Sequence, residues 1–260
     1  MKIKDKVYGE TMEIELKENE EINDLEYKGL KIIQNKKEFC FGIDSVLLAN
    51  FAKDIKSGSK VLDLGTGTGI IGVLLCAKSE LGEIVGIEVQ AHVCELAARN
   101  IALNKLENKF KIINENIKNL DNIIEGGTID VIVTNPPYKK ENTGLKNENE
   151  AKLISRHEIK CTLIDLLKAS ARALRDKGEI YMINRPERLV DVLVGMRENK
   201  LEPKLIRFVH SREDKAPKLV LIKAIKNAKE FLKIERPLII YKKEGTYTEE
   251  ILDIYNKKHD

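Results

Sequence analysis

Val61-Leu-Asp-Leu-Gly-Thr-Gly-Thr-Gly69 is the stretch that decides the fold. Lys60-Val-Leu-Asp-Leu64 is an apolar run of strand length, alternating glycines follow it, and an apolar helical pattern continues to about Ser79. Glycines between a strand and a helix let the backbone turn tightly and let a ligand approach the helix N-terminal amides. Gly67-Thr-Gly69-Ile-Ile-Gly72 also satisfies the dinucleotide pattern G-x-G-x-x-G, which is weak alone. Two acidic residues narrow the ligand. Asp63 lies two residues before the first glycine, where a carboxylate suits an ammonium-bearing ligand better than a pyrophosphate. Glu88 ends the next strand pattern, Glu83-Ile-Val-Gly-Ile87, where it can accept hydrogen bonds from both ribose hydroxyls. Glu88 identifies a ribose, not a cofactor, so an NAD enzyme stays open at this point.

Outward from this loop, strand and helix patterns alternate. A helix is expected from Gln90 to about Asn104, strands at Phe110–Ile113 and Ile129–Val133, and a helix from about Thr162 to Arg175. A strand at Gly178–Ile183, a helix over Glu187–Glu198, and strands near Lys204–His210 and Lys218–Ile225 complete the series. Such alternation predicts a Rossmann-like α/β fold: a seven-stranded, mostly parallel sheet ending in an antiparallel pair. Residues 1–50 add a strand at Leu30–Ile33 and a helix within Phe41–Ala49, read as an N-terminal extension packing on the core. Residues 51–226 are the main domain, and 227–260 a tail of the same domain. Residues 139–156 form a long polar loop directly after a strand end, a place where long loops tend to be functional.

Asp130-Val-Ile-Val-Thr-Asn-Pro-Pro-Tyr138 ends the fourth core strand. The prolines stop the ladder and hold Asn135 and the Pro136 carbonyl rigidly at the carboxyl edge, where α/β proteins bind ligands. An amino group conjugated to a heteroaromatic ring is a poor nucleophile because its lone pair is delocalised. Accepting both of its hydrogens, with the Asn135 side-chain oxygen and the Pro136 carbonyl, favours pyramidal nitrogen and frees the lone pair. Pro137 completes the rigid turn, and Tyr138 offers a flat face for a planar substrate.

The glycine loop resembles the first motif of the S-adenosylmethionine-dependent methyltransferases, and Asn-Pro-Pro-Tyr resembles the signature of their amino-methylating members. Over nearly the whole chain the sequence is similar to the bacterial tRNA-valine adenine-N6 methyltransferase family, through Leu30–Gln34, Phe41–Ala49, Val61–Gly69, Asn135–Tyr138 and Ser155–Glu158. This resemblance implies a class I methyltransferase fold and S-adenosyl-L-methionine as cofactor. It implies Phe41, Asp44, Asp63, Gly65, Gly67, Gly69, Glu88, Asn116 and Asn135 as cofactor-binding residues. The family usually has an acidic residue where this chain has Asn116. Asn135, Pro136, Pro137 and Tyr138 are implied as catalytic, with Lys139, Lys140, Arg156 and His157 meeting RNA, most naturally a tRNA anticodon-loop adenosine. The same chemistry on rRNA, DNA adenine or a protein glutamine, and a non-catalytic RNA-binding module, are the alternatives.

Composition agrees with a cytoplasmic enzyme: 42% hydrophobic and 33% charged residues, with no apolar run near the roughly 20 residues of a membrane helix and no secretory signal. The four cysteines and four histidines are scattered, so no metal site or disulfide framework is expected. The net charge of +3 conceals a split. Residues 1–138 hold 17 Lys and Arg against 22 Asp and Glu, and residues 139–260 hold 28 against 20. The boundary coincides with Tyr138, which divides a cofactor-binding half from a basic half suited to RNA, with Arg185, Arg188, Arg207 and Arg212 among its cations.

Overall fold

The computed structural model describes residues 15–37, 42–136 and 161–257, together with the backbone of Val7–Tyr8. Phe41, Pro137, Tyr138, Lys139, Lys140, Arg156 and His157 lie outside the described residues.

The strands are β1 (Val7–Tyr8), β2 (Glu20–Asp24), β3 (Lys31–Asn35), β4 (Lys60–Leu64), β5 (Glu83–Glu88), β6 (Phe110–Asn114), β7 (Ile129–Thr134), β8 (Leu174–Asn184), β9 (Leu201–His210), β10 (Pro217–Lys226), β11 (Lys233–Ile234) and β12 (Leu238–Ile239). Six α-helices accompany them among the described residues: α1 (Ile43–Phe51), α2 (Ile70–Lys78), α3 (Ala91–Leu103), α4 (Leu163–Ala173), α5 (Leu189–Glu198) and α6 (Glu249–Ile254). The main sheet runs β1-β6-β5-β4-β7-β8-β10-β9-β11, with β12 also on β9. Its seven long strands are the expected ones. Strands β4 to β8 pair in parallel, and β10 runs antiparallel between β8 and β9. Three two-residue strands, too short to leave a periodic signal, widen the sheet to ten.

Alternation along the strands sorts side chains between two cores. Val61, Val133 and Tyr181 pack with α1, α2, α3 and α6 on one face. Leu62, Leu64, Ile132 and Met182 pack with α4 and α5 on the other. The helix-start signals are local: Thr162 caps α4 in a reciprocal box with Asp165, and Thr248 caps α6. The N-terminal region differs from expectation. Besides the expected strand it contains β2, and β2 and β3 form a separate antiparallel hairpin. The tail enters the first core through Leu238, Ile240, Ile251 and Ile254.

Candidate functional site

The chain leaves β4 to one side, through β5 and β6, and later returns to β4's other side with β7. The direction of winding therefore reverses between β4 and β7, and a crevice opens there at the carboxyl edge. Leu64 and Thr134 lie opposite each other across this junction, tied by Thr134 Oγ1 donating to the Leu64 carbonyl at 2.9 Å. One residue further on, the glycine loop and Asn135 emerge side by side. Glu88 ends β5 on the loop's other flank.

Gly65, Gly67 and Gly69 have φ of 71°, 56° and 82°, the left-handed region where a side chain is strained. The Gly65 and Thr66 amides donate to the Ile87 carbonyl, pinning the loop against β5. A Cβ on Gly65 or Gly67 would meet nothing within 4 Å, so both positions face open space, whereas one on Gly72 would run into the Phe110 ring. Gly65 and Gly67 thus make room for a ligand. Gly72 serves helix-to-sheet packing, which is also the role of the third glycine in the dinucleotide pattern, so this glycine does not distinguish the ligand.

Asp63 is fully buried. Its Oδ2 accepts a 2.6 Å hydrogen bond from Thr66 Oγ1, while Oδ1 has no hydrogen-bond partner. Burial, reinforced by the nearby Glu88 charge and opposed by the Thr66 bond, pushes this carboxyl up to about 7. Glu88 is also buried. Its Oε1 accepts from the Gln90 amide at 2.9 Å and its Oε2 from the Gly67 amide at 3.3 Å. The Glu88 carbonyl is anchored by Asn114 Nδ2 and the Glu115 amide, which fixes the side chain's origin. Each Glu88 carboxylate oxygen keeps a lone-pair direction for a further donor. Two buried carboxylates against a loop with open space select a ligand with hydroxyl donors and positive charge.

Asn135 and Pro136 are half-buried at the end of β7. Asp44 lies in the first turn of α1, its Oδ1 2.6 Å from where a Gly42 Cβ would stand, so the carboxylate folds back over the helix start. Asn116 caps the 3-10 helix Ile117–Asn122, its side-chain oxygen accepting from the Lys118 amide at 3.0 Å and keeping a second lone pair. Arg207 is engaged within the fold. It ion-pairs with Glu250 of α6 at 2.6 Å and donates to the Arg236 carbonyl, so it ties down the tail. Sequence reading missed Thr66, whose role depends on Gly86 of the adjacent strand leaving it space. Among the described residues there is no helix long and apolar enough to cross a membrane, and no cluster of three or more potential metal ligands.

Residues 41–198 match the family model of the methyltransferase small domain. A tRNA1(Val) (adenine(37)-N6)-methyltransferase of Porphyromonas gingivalis is 28% identical over 200 residues, spanning 75% of this chain and 78% of that protein. Its namesake in Parabacteroides distasonis is 29% identical, over 76% and 81%. Another in Histophilus somni is 32% identical, over 60% and 65%. Among solved structures, a predicted O-methyltransferase of Agrobacterium tumefaciens superposes with a TM-score of 0.68 at 18% identity, covering 82% of this chain and 95% of that one. M. jannaschii TYW2 in complex with AdoMet gives 0.55 at 16% identity, covering 81% and 87%. At such identities the likeness is one of fold, the class I methyltransferase fold. With its model covering more than half of the sequence, the chain belongs to the methyltransferase small domain family.

Proposed function

We propose that this protein transfers a methyl group from S-adenosyl-L-methionine to the N6 amine of an adenosine in tRNA, in the cytoplasm. The observation that carries the reading is the junction of β4 and β7. There Asp63, a buried carboxylate with an unpartnered oxygen, pairs with Val133, and Asn135-Pro136 follow directly after the last paired position, Thr134. The residues fit the cofactor. Asp63 Oδ1 is an acceptor awaiting an ammonium group, Glu88 retains two lone-pair directions for ribose hydroxyls, and the space beside Gly65 and Gly67 admits a ligand against the backbone. Asp44 closes the methionine end and Asn116 meets the adenine.

Bound there, the cofactor supplies an electrophilic methyl group on a sulfonium. The chain's part is to hold the target base and redirect its lone pair. The Asn135 oxygen and the Pro136 carbonyl accept the two N6 hydrogens, which raises electron density on nitrogen as the new N–C bond forms. The S–C bond pair stays on sulfur, and the surplus proton leaves nitrogen for water after transfer, so no strong base is needed. Tyr138 stacks on the base, and Lys139, Lys140, Arg156 and His157 hold flanking phosphates. The base must leave its stack to reach Asn135, which favours a loop nucleotide. The relatives' names point to adenosine 37 of valine tRNA.

The test is methyl transfer to total tRNA, ribosomal RNA, genomic DNA and release factors, followed by nucleoside mass spectrometry. N6-methyladenosine confined to tRNA is expected. Methyl groups on guanine, DNA or glutamine would redirect the substrate, and none on any acceptor would leave a cofactor-binding module.

A further inference from the structure

The β2–β3 hairpin precedes the segment matched by the family model, yet it is fastened to the glycine loop. Helix α3 and its C-cap residue Asn104 grip it at three positions. Buried Arg99 forms a bidentate ion pair with Glu20 of β2, at 2.7 and 2.6 Å. Asn104 Oδ1 accepts from the Lys31 amide at 2.9 Å, and its Nδ2 donates to the Lys31 carbonyl at 2.7 Å. Asn100 repeats the pattern at Ile33: Oδ1 accepts from the amide at 2.6 Å and Nδ2 donates to the carbonyl at 3.3 Å. Four helix residues rise about 6 Å and two strand residues about 6.6 Å, so two side-chain amides stand in for a partner strand on β3.

Asn100 does one thing more. The same Nδ2 donates to the Thr68 carbonyl at 2.9 Å, between Gly67 and Gly69. One fully buried nitrogen therefore holds the hairpin and the loop together. The residue after Ile33 supplies an independent observation. Gln34 is buried, 6% exposed, and its Nε2 has no hydrogen-bond partner. A buried amide donor left unmade is costly, and a bound acceptor removes that cost.

On the cofactor assignment made above, we propose that the end of this hairpin is a wall of the cofactor site. Asn100 is its positioning residue, and Gln34 Nε2 donates to an oxygen of bound S-adenosylmethionine, the carboxylate being the strongest acceptor available. Binding and hairpin order are then coupled, and by linkage the coupling is reciprocal.

Calorimetry and thermal unfolding of Gln34→Met test the donor. The expected result is about tenfold weaker S-adenosylmethionine binding with an unchanged or raised melting temperature of the free protein, because a buried unmade donor has been removed. Equal affinity overturns the role of Gln34. Asn104→Ala opens the Lys31 clasp without touching Thr68, and its affinity should stay within about twofold. A loss as large as that of Gln34→Met would mark general loosening of the hairpin and overturn the specific contact. Hydrogen exchange on the unaltered protein needs no variant: S-adenosylmethionine should slow exchange at the Ile33 amide as well as in the loop. Protection confined to the loop overturns the coupling. Failure of the unaltered protein to bind S-adenosylmethionine would sink the cofactor assignment itself.

Discussion

The ends of β4 and β7 are neighbours in one sheet and end in opposite ways. Strand β4 ends in glycines with left-handed dihedrals, beside two buried carboxylates. Strand β7 ends in a neutral asparagine and a proline, half-buried and without a charge of their own. The first end must close around a charged ligand, so it combines a permissive backbone with fixed negative charge. On the proposed function, the second accepts two hydrogens from a neutral amine, which a stiff backbone with two fixed oxygens suits. On the same reading, an asparagine at Asp63 would leave the ligand's cation unmatched.

Removing the β7 side should have the largest effect. Asn135→Ala deletes one of two acceptors made stronger as the amine becomes cationic, so turnover should fall on the order of 10²–10³-fold, the size seen when one preorganised polar group at a reacting centre is removed. S-adenosylmethionine affinity should stay near normal by calorimetry. Near-normal turnover would remove Asn135 from the chemistry, and lost cofactor binding would erase the division between the two strand ends.

On the β4 side, Asp63→Asn should weaken S-adenosylmethionine binding by roughly 10–100-fold, the worth of one charged hydrogen bond. The pH dependence has a definite sign. The Asp63 carboxyl is raised from 3.8 to about 7 in the free protein, chiefly by burial. The unfolded chain therefore releases this proton first as pH rises, and stability falls between about 4 and 7 and levels off above that. An ammonium ligand prefers the ionised form, so affinity should climb as pH rises toward 7, with proton release on binding visible as a buffer-dependent enthalpy. Asp63→Asn should flatten that profile and remove the stability loss. A pH-independent affinity in the unaltered protein would mean that Asp63 does not face the cation.

The contrast between the two strand ends was largely legible in the sequence because its signals are local. A strand followed by glycines, and Asn-Pro-Pro after an apolar run, need no knowledge of partners. What escaped depends on partners far along the chain. Glu20-Glu-Ile-Asn-Asp24 is polar, and its Ile22 is 42% exposed, so nothing in it reads as a strand. Arg99 and Asn100 of α3 and Asn104 at its C-cap hold that hairpin in place from another part of the chain. Arg207 likewise finds its partner Glu250 far along the chain, where no local pattern shows it. Asn116 is legible as a candidate by its place after β6, whereas its cap on the 3-10 helix that follows is not.

The smallest expected effect sharpens the comparison from behind the β4 loop. Gly86 pairs with Asp63 across β4 and β5, and a Cβ there would lie 2.8 and 2.9 Å from Thr66 Cγ2 and Oγ1 and 2.7 Å from Ile112 Cδ1. Neither neighbour can take that contact without moving, and Thr66 Oγ1 is the hydroxyl that bonds Asp63. Gly86→Ala should therefore overpack the site by about 1–3 kcal/mol in unfolding experiments and loosen the bond that opposes the raised Asp63 carboxyl. Its ionisation should then move further upward, shifting the pH midpoint of S-adenosylmethionine affinity above that of the unaltered protein, with only a few-fold loss of affinity at high pH. Turnover at saturating cofactor should hardly change, because β7 is untouched. A midpoint that stays in place despite the lost stability would show that Thr66 does not tune Asp63. The charge at the β4 end would then be set by burial and the neighbouring Glu88.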